Sequence, residues 1–267
     1  KADVWYGGTH DPHLQAANEG LLQPYVSANM KEQYPWSADL LAKSGNQVAG
    51  IYRITLGFGY NRELLAKKNQ KPPACWSDLV KPEYVGEIET SSPATSGTAY
   101  TILATVVQLM GEDRAFDYLR ALHKNVNRYT TSGTAQRQSV SRGESLIGVT
   151  FLDEFIPEQH VGAPVETVLP CEGTGYSVGA MSIAKGARNL AEAKKFYDWA
   201  LTAEAQTIRD QTKVIAIPSN RSAYAPEPVK ALEKAKLINY DFVKYGSSAE
   251  RKRLIDRWDR EVRSAPR

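Results

Sequence analysis

Apolar residues recur along this chain at two periods. Over 98–110, Ala99, Ile102, Leu103, Val106, Val107 and Met110 return every three or four positions, which predicts a helix with a wide buried stripe. The same spacing predicts helices over 113–123 (Phe116, Leu119, Leu122), 189–202 (Leu190, Ala193, Phe196, Tyr197, Ala200, Leu201) and 249–262 (Leu254, Ile255, Trp258, Val262). Shorter helices are predicted over 61–68 and 134–142, and Leu14, Ala17, Leu21 and Leu22 predict one after residue 9. Apolar runs among Gly and β-branched neighbours predict strands over 3–6, 48–60, 87–90, 146–151, 165–169 and 178–183. Strands alternating with helices predict an α/β fold. The order of elements fits two α/β lobes joined by crossing strands.

Between these elements lie three glycine-and-hydroxyl turns, Gly7-Gly8-Thr9, Thr95-Ser96-Gly97-Thr98 and Thr131-Ser132-Gly133-Thr134, the last two opening helical stretches. A helix start leaves backbone N–H groups unpaired, Gly lets an oxyanion approach, and Ser or Thr adds a donor. Each turn alone is equally an ordinary N-cap. Converging on one cleft, they would hold an anion without chemistry. Asp153 and Glu154 follow the strand over 146–151, at the carboxyl end where open α/β sheets collect their ligands. Strand alternation favours Asp153 of the two, against a solvated acidic loop. Arg53 offers a bidentate grip on a phosphate or carboxylate, or else sits on a surface strand. Trp5, Tyr6, Tyr52, Phe58 and Phe151 are core residues or stacking surfaces.

Composition narrows the function further. With 42% hydrophobic and 24% charged residues and a net charge of +3, the 267-residue chain has an ordinary globular balance and a length for two lobes. No basic stripe or aromatic-basic ladder supports nucleic acid as a partner. The Arg251–Arg263 cations alternate with Glu250, Asp256, Asp259 and Glu261 and read as a solvated helix face. No apolar stretch is long enough to span a bilayer, and residues 1–5 carry no charged or apolar leader pattern. Cys75 and Cys171 permit one disulfide or two buried thiols, and neither has zinc-site spacing. His10 and His13 lack a third ligand within sequence reach. The nucleophile elbow and the P-loop are both absent from the sequence, so no catalytic residue and no cofactor is expected.

Five segments in order, Ala2-Asp3-Val4-Trp5-Tyr6-Gly7-Gly8-Thr9, Leu56-Gly57-Phe58-Gly59-Tyr60-Asn61, Ser96-Gly97-Thr98-Ala99-Tyr100, Cys171-Glu172-Gly173-Thr174-Gly175-Tyr176 and 191–205, resemble the periplasmic solute-binding proteins of ABC importers, in the ferric-binding and hexose-phosphate-binding branch. The resemblance implies a two-lobed type II periplasmic binding protein fold with a ligand cleft between lobes. It implies closure about hinges at 171–176 and 51–58, an extracytoplasmic monomer, and a membrane permease as partner. Lobe one is expected over 1–52 plus 178–225 and lobe two over 53–177 plus 226–267. Family members begin well upstream, so the resemblance also implies that an opening strand and helix of lobe one are missing here, with the signal peptide. Export would bond Cys75 to Cys171.

Ferric-binding relatives place two adjacent tyrosines after the strand that ends here at Phe151, since hard Fe(III) favours phenolate oxygens. This chain has Leu152-Asp153-Glu154 instead. Hexose-phosphate receptors place His-Asp where this chain has Asp153-Glu154, and Glu where it has Ser177, so the anion-reading turns are kept while the sugar-reading side is altered. The expected ligand-binding set is Gly8, Thr9, Arg53, Ser96, Gly97, Thr98, Ser132, Gly133, Thr134, Asp153, Glu154 and Ser177. The ligand expected is a small anionic solute: a sugar phosphate, organophosphate or phosphonate. A ferric receptor, and an enzyme working on the same glycine turns, are the alternatives.

Overall fold

In the computed structural model, which describes residues 2–211 and 215–266, the chain divides into two compact units. The first is Lys1–Ile54 with Ser177–Glu233, the second Thr55–Tyr176 with Lys234–Arg267. The first segment supplies β1 (Val4–Thr9), α1 (His10–Asn18), β2 (Leu22–Gln23), α2 (Pro35–Lys43) and the start of β3 (Ala49–Asn61). The second carries α3 (Arg62–Lys67), β4 (Ile88–Ser91), α4 (Gly97–Met110), α5 (Glu112–Asn125), β5 (Val126–Thr130), α6 (Ala135–Ser141), β6 (Ile147–Phe151), α7 (Ile156–His160) and β7 (Val165–Val168). Then follow β8 (Tyr176–Ala184), α8 (Leu190–Ala200), α9 (Ala203–Gln211), β9 (Ile217–Pro218) and α10 (Glu227–Ala231), and finally α11 (Phe242–Gly246) and α12 (Ser248–Trp258).

In the first unit β1 and β2 pair antiparallel with β8, and the opening of β3 pairs with β9. Its core gathers Met30, Leu41, Ile51, Met181, Ile183 and Tyr197. The predicted first helix stops short. It ends at Asn18, Gly20 takes a left-handed φ of 68°, and Leu22 joins β2 opposite Ala184 rather than extending the helix. The pattern also passed over α2 and β5, the latter because Asn127 and Arg128 break its apolar alternation.

The second unit has a mixed sheet. β4 runs parallel to both β5 and β6, while β3 pairs antiparallel with β6 and β7. Phe58, Trp76, Leu79, Ile88, Leu103 and Phe116 are fully or nearly fully buried around it. The Ser96 hydroxyl accepts from the Ala99 N–H and opens α4, and Gly111, at φ 78°, separates α4 from α5. Two cations of α12, Arg253 and Arg257, are bolted to α5, while Lys252 pairs with Asp256 on its own exposed face. Arg253 meets both Glu112 oxygens at 2.8 Å, and Arg257 reaches Glu112 at 2.7 Å and Asp113 at 3.0 Å. Chiefly through the Arg253 hydrogen bonds, the Glu112 carboxyl is held down to about 2.

Cys75 and Cys171 form a disulfide within this unit. The neighbouring Glu172 carboxylate accepts from the Trp76 and Ser77 N–H groups at 2.8 and 2.9 Å, and the Trp76 indole donates to the Gly173 carbonyl at 3.0 Å. Cys75, Cys171 and Glu172 bring potential ligand atoms within 4.8 Å of one another. Both sulfurs are spent in the disulfide, so the group is a staple between loops. No helix among the described residues is long and apolar enough to cross a membrane.

Candidate functional site

Three parallel neighbours, β5, β4 and β6, end in hydroxyls: Thr130 closes β5, Ser91 closes β4, and Thr150 is the penultimate residue of β6. The loops leaving β4 and β5 lead into α4 and α6. Both glycine-and-hydroxyl turns of this unit therefore stand at the carboxyl edge of its parallel strands, where α/β folds bind ligands. The turns touch. A Cβ placed on Gly133 would fall 2.6 Å from Thr98 Cβ and 2.9 Å from Ser96 Oγ, so only glycine allows this approach. Gly97, Ser132 and Thr134 are exposed and Thr98 and Gly133 are half-buried, whereas Ser96 is buried, its hydroxyl capping α4.

Beneath this surface the second turn is anchored. The Ser91 and Thr130 hydroxyls donate to the Ser132 carbonyl at 3.0 and 2.8 Å, and the Thr150 hydroxyl donates to the Gly133 carbonyl at 2.6 Å. The fully buried Gln136 amide gives its protons to the Ser91 and Thr130 hydroxyls at 2.8 and 2.9 Å. One helical turn on, Ser139 donates to the buried Glu89 carboxylate at 3.0 Å, which also accepts from Arg128 at 2.6 Å and from Ser145 at 3.2 Å. The sequence reading missed Ser91, Thr130, Gln136 and Thr150. The three hydroxyls had one signal, their position at or next to the last residue of a strand, and Gln136, inside α6, had none.

Asp153 and Glu154 lie in a single helical turn, Leu152–Glu154, that follows β6. Asp153 is buried and accepts from the Thr55 N–H at 2.9 Å. Glu154 pairs with Arg137 at 3.2 Å, and burial pushes its carboxyl up against that cation's opposing pull. Strand alternation therefore does not separate the two, because the strand has already ended.

The remaining members of the expected ligand set belong to the first unit. Gly7 and Gly8 take φ of 92° and 80°, and the pairing of β1 with β8 slips register between Tyr6 and Thr9, so this turn is a bulge within the strand. Thr9 occupies the N-cap of α1 without a side-chain bond. His13 is fully buried, facing the Ser182 hydroxyl at 2.8 Å and the Gly7 carbonyl at 3.0 Å and stacked on Trp5. Its pKa is lowered, with burial the largest cause. The His10 Nδ1 lies 3.2 Å from the Val178 carbonyl. Both histidines are thus structural partners of backbone. Arg53 is half-buried in β3 opposite Ile217, and Ser177 is buried in β8. Of the aromatic candidates Phe58 and Phe151 are core residues, whereas Trp5 and Tyr6 are exposed.

Residues 1–245 match the family model described as bacterial extracellular solute-binding protein. A Haemophilus influenzae protein is 48% identical over 267 residues, covering 99% of this chain and 77% of its own length. The periplasmic binding protein AfuA from Actinobacillus pleuropneumoniae, solved with exogenous fructose-6-phosphate bound, is 45% identical, with a TM-score of 0.88 over 99% of this chain and 84% of its own. The periplasmic binding protein P5PA is 44% identical, with a TM-score of 0.87 over 98% of this chain and 83% of its own. The apo ferric ion-binding protein A of Pasteurella haemolytica shares the fold, with a TM-score of 0.80 over 99% of this chain and 84% of its own at 17% identity. With its α/β units and this match over most of its length, the chain belongs to the bacterial extracellular solute-binding proteins of ABC transporters and has the type II periplasmic binding protein fold.

Proposed function

We propose that this protein is a non-enzymatic periplasmic receptor that captures a small phosphorylated or phosphonate solute and hands it, as a monomer, to the membrane permease of an ABC importer. One observation carries the reading: the Ser96-Gly97-Thr98 and Ser132-Gly133-Thr134 turns abut, Gly133 lying directly against the Thr98 and Ser96 side chains. Small alcohols and backbone amides gathered at one point suit the oxygens of a phosphoryl group, and no nucleophile-base pair stands among them. AfuA, at 45% identity, was solved with a sugar phosphate, which supports the same ligand class here.

In this reading Ser96, Gly97, Thr98, Ser132, Gly133 and Thr134 hold the anionic head. Asp153 and Glu154 bear on a hydroxylated or cationic tail. Gly8, Thr9, Arg53 and Ser177, all in the first unit, are proposed as further contacts to the same class of ligand. The test is a thermal-shift and calorimetric screen of inorganic phosphate, hexose phosphates, aminoalkylphosphonates, dicarboxylates, polyamines and ferric citrate. Phosphate esters or phosphonates should stabilise the protein with saturable binding. Stabilisation by polyamines alone, or a coloured ferric complex in place of phosphate binding, would overturn the assignment.

A further inference from the structure

A trans peptide is planar, so the carbonyl of one residue and the N–H of the next point in opposite directions. Whatever fixes the Ser132 and Gly133 carbonyls therefore also aims the Gly133 and Thr134 N–H groups. Three hydroxyls at or near strand ends do the fixing: Ser91 and Thr130 on the Ser132 carbonyl, Thr150 on the Gly133 carbonyl. Each hydroxyl has one proton to give. Ser91 and Thr130, having given theirs to the carbonyl, can only accept from the two amide protons of Gln136. Proton donation thus runs one way, from buried amide to hydroxyl to turn carbonyl. The Gln136 oxygen has no hydrogen-bond partner among the described residues, which leaves the nitrogen end as the one the network uses.

From this arrangement we infer that Gln136 and Thr150 are positioning residues. Fully buried themselves, they set the direction in which the Gly133 and Thr134 amides face a bound phosphoryl group. The Thr134 N–H meets the Ser132 hydroxyl only at a long 3.4 Å, so it is weakly engaged within the turn. The inference rests on the receptor reading above and adds which residues preorganise its donors. Gln136→Glu puts an acceptor in place of the amide donor. The Ser91 and Thr130 hydroxyls would then turn their protons to the carboxylate and release the Ser132 carbonyl. Thr150→Val keeps the volume of the side chain and removes the donor to Gly133.

The experiment is nuclear magnetic resonance of the full chain with calorimetry, using fructose-6-phosphate and inorganic phosphate as probes. In the free protein, the carbonyl carbon of Ser132 should move upfield in Gln136→Glu and that of Gly133 in Thr150→Val. Each variant should bind about tenfold or more weakly, the loss of a hydrogen bond to a charged group. Ligand-induced shifts at the Gly133 and Thr134 amides should shrink while those at Gly97 and Thr98 persist, and Thr150→Ser should restore affinity to within about twofold of wild type. If wild type binds the probes and both variants match it with unchanged amide shifts, the positioning role is wrong and the receptor reading survives. If wild type binds neither probe, the receptor reading fails and takes this inference with it.

Discussion

Each unit contains a buried glutamine that organises the polar groups around it, and the two do so to different ends. In the first unit, Gln206 donates to the Ser219 hydroxyl at 2.9 Å and accepts from the Asn220 N–H at 2.8 Å, while Ser219 donates to Gln33 at 2.7 Å and Gln33 and Asn220 both donate to the Leu201 carbonyl at 2.9 Å. Every one of these four side chains is buried, and apart from one 3.3 Å bond from Asn220 to the Glu32 carboxylate the network stays among buried groups. In the second unit Gln136 feeds a network that ends on the carbonyls of an exposed turn. The first arrangement spends its hydrogen bonds on cohesion, and the second spends them on presenting donors to solvent. A buried polar network is thus no sign of function by itself. What marks one is the surface it terminates in.

The sharpest way to break this contrast is Gly133→Ala. The added methyl collides with Thr98 and Ser96, so it should weaken phosphate-ester binding about 100-fold by forcing the two turns apart, at a stability cost of about 1–3 kcal/mol. Calorimetry and chemical denaturation separate the two effects. Binding within twofold of wild type would show that the meeting of the turns is irrelevant to the ligand.

Next in size is the disulfide. Cys75→Ala with Cys171→Ala, 96 residues apart, should cost about 2–4 kcal/mol by freeing the unfolded chain, with phosphate-ester affinity little changed. Urea denaturation checks it, and a large affinity loss would mean that the staple reaches the donor turns.

Gln206→Leu should cost about 2 kcal/mol, because it leaves the buried Asn220 N–H without its acceptor, and should leave binding within about twofold. Equal losses of affinity from this variant and from Gln136→Glu would erase the distinction between the closed and the open network.

The smallest effect concerns pH. Because its arginine partners hold Glu112 down to about 2 from an ordinary 4.5, its contribution is complete above about 4.5 and is lost as pH falls towards 2. Glu112→Gln should therefore cost about 1 kcal/mol at neutral pH, the Coulombic part being screened at this partly exposed site, and the two proteins should converge in stability near pH 2. A difference that persists unchanged in acid would assign the effect to packing.

Much of this protein was legible in its amino-acid order. The apolar stripe of α4 and the run of β6 follow from local periodicity, because burial of one face at a fixed repeat is written residue by residue. The Ser96 cap and the two glycine turns of the second unit were readable for the same reason, since helix starts and close approaches require particular residue types. Family membership was carried by five short segments in order. Tertiary structure decided what those turns do. That Gly133 lies against Thr98, that Ser91, Thr130 and Thr150 all reach one loop, and that Gln136 drives their protons outward depend on which strands are neighbours. Strand adjacency joins residues tens of positions apart, and neither helical nor strand periodicity carries information over that distance.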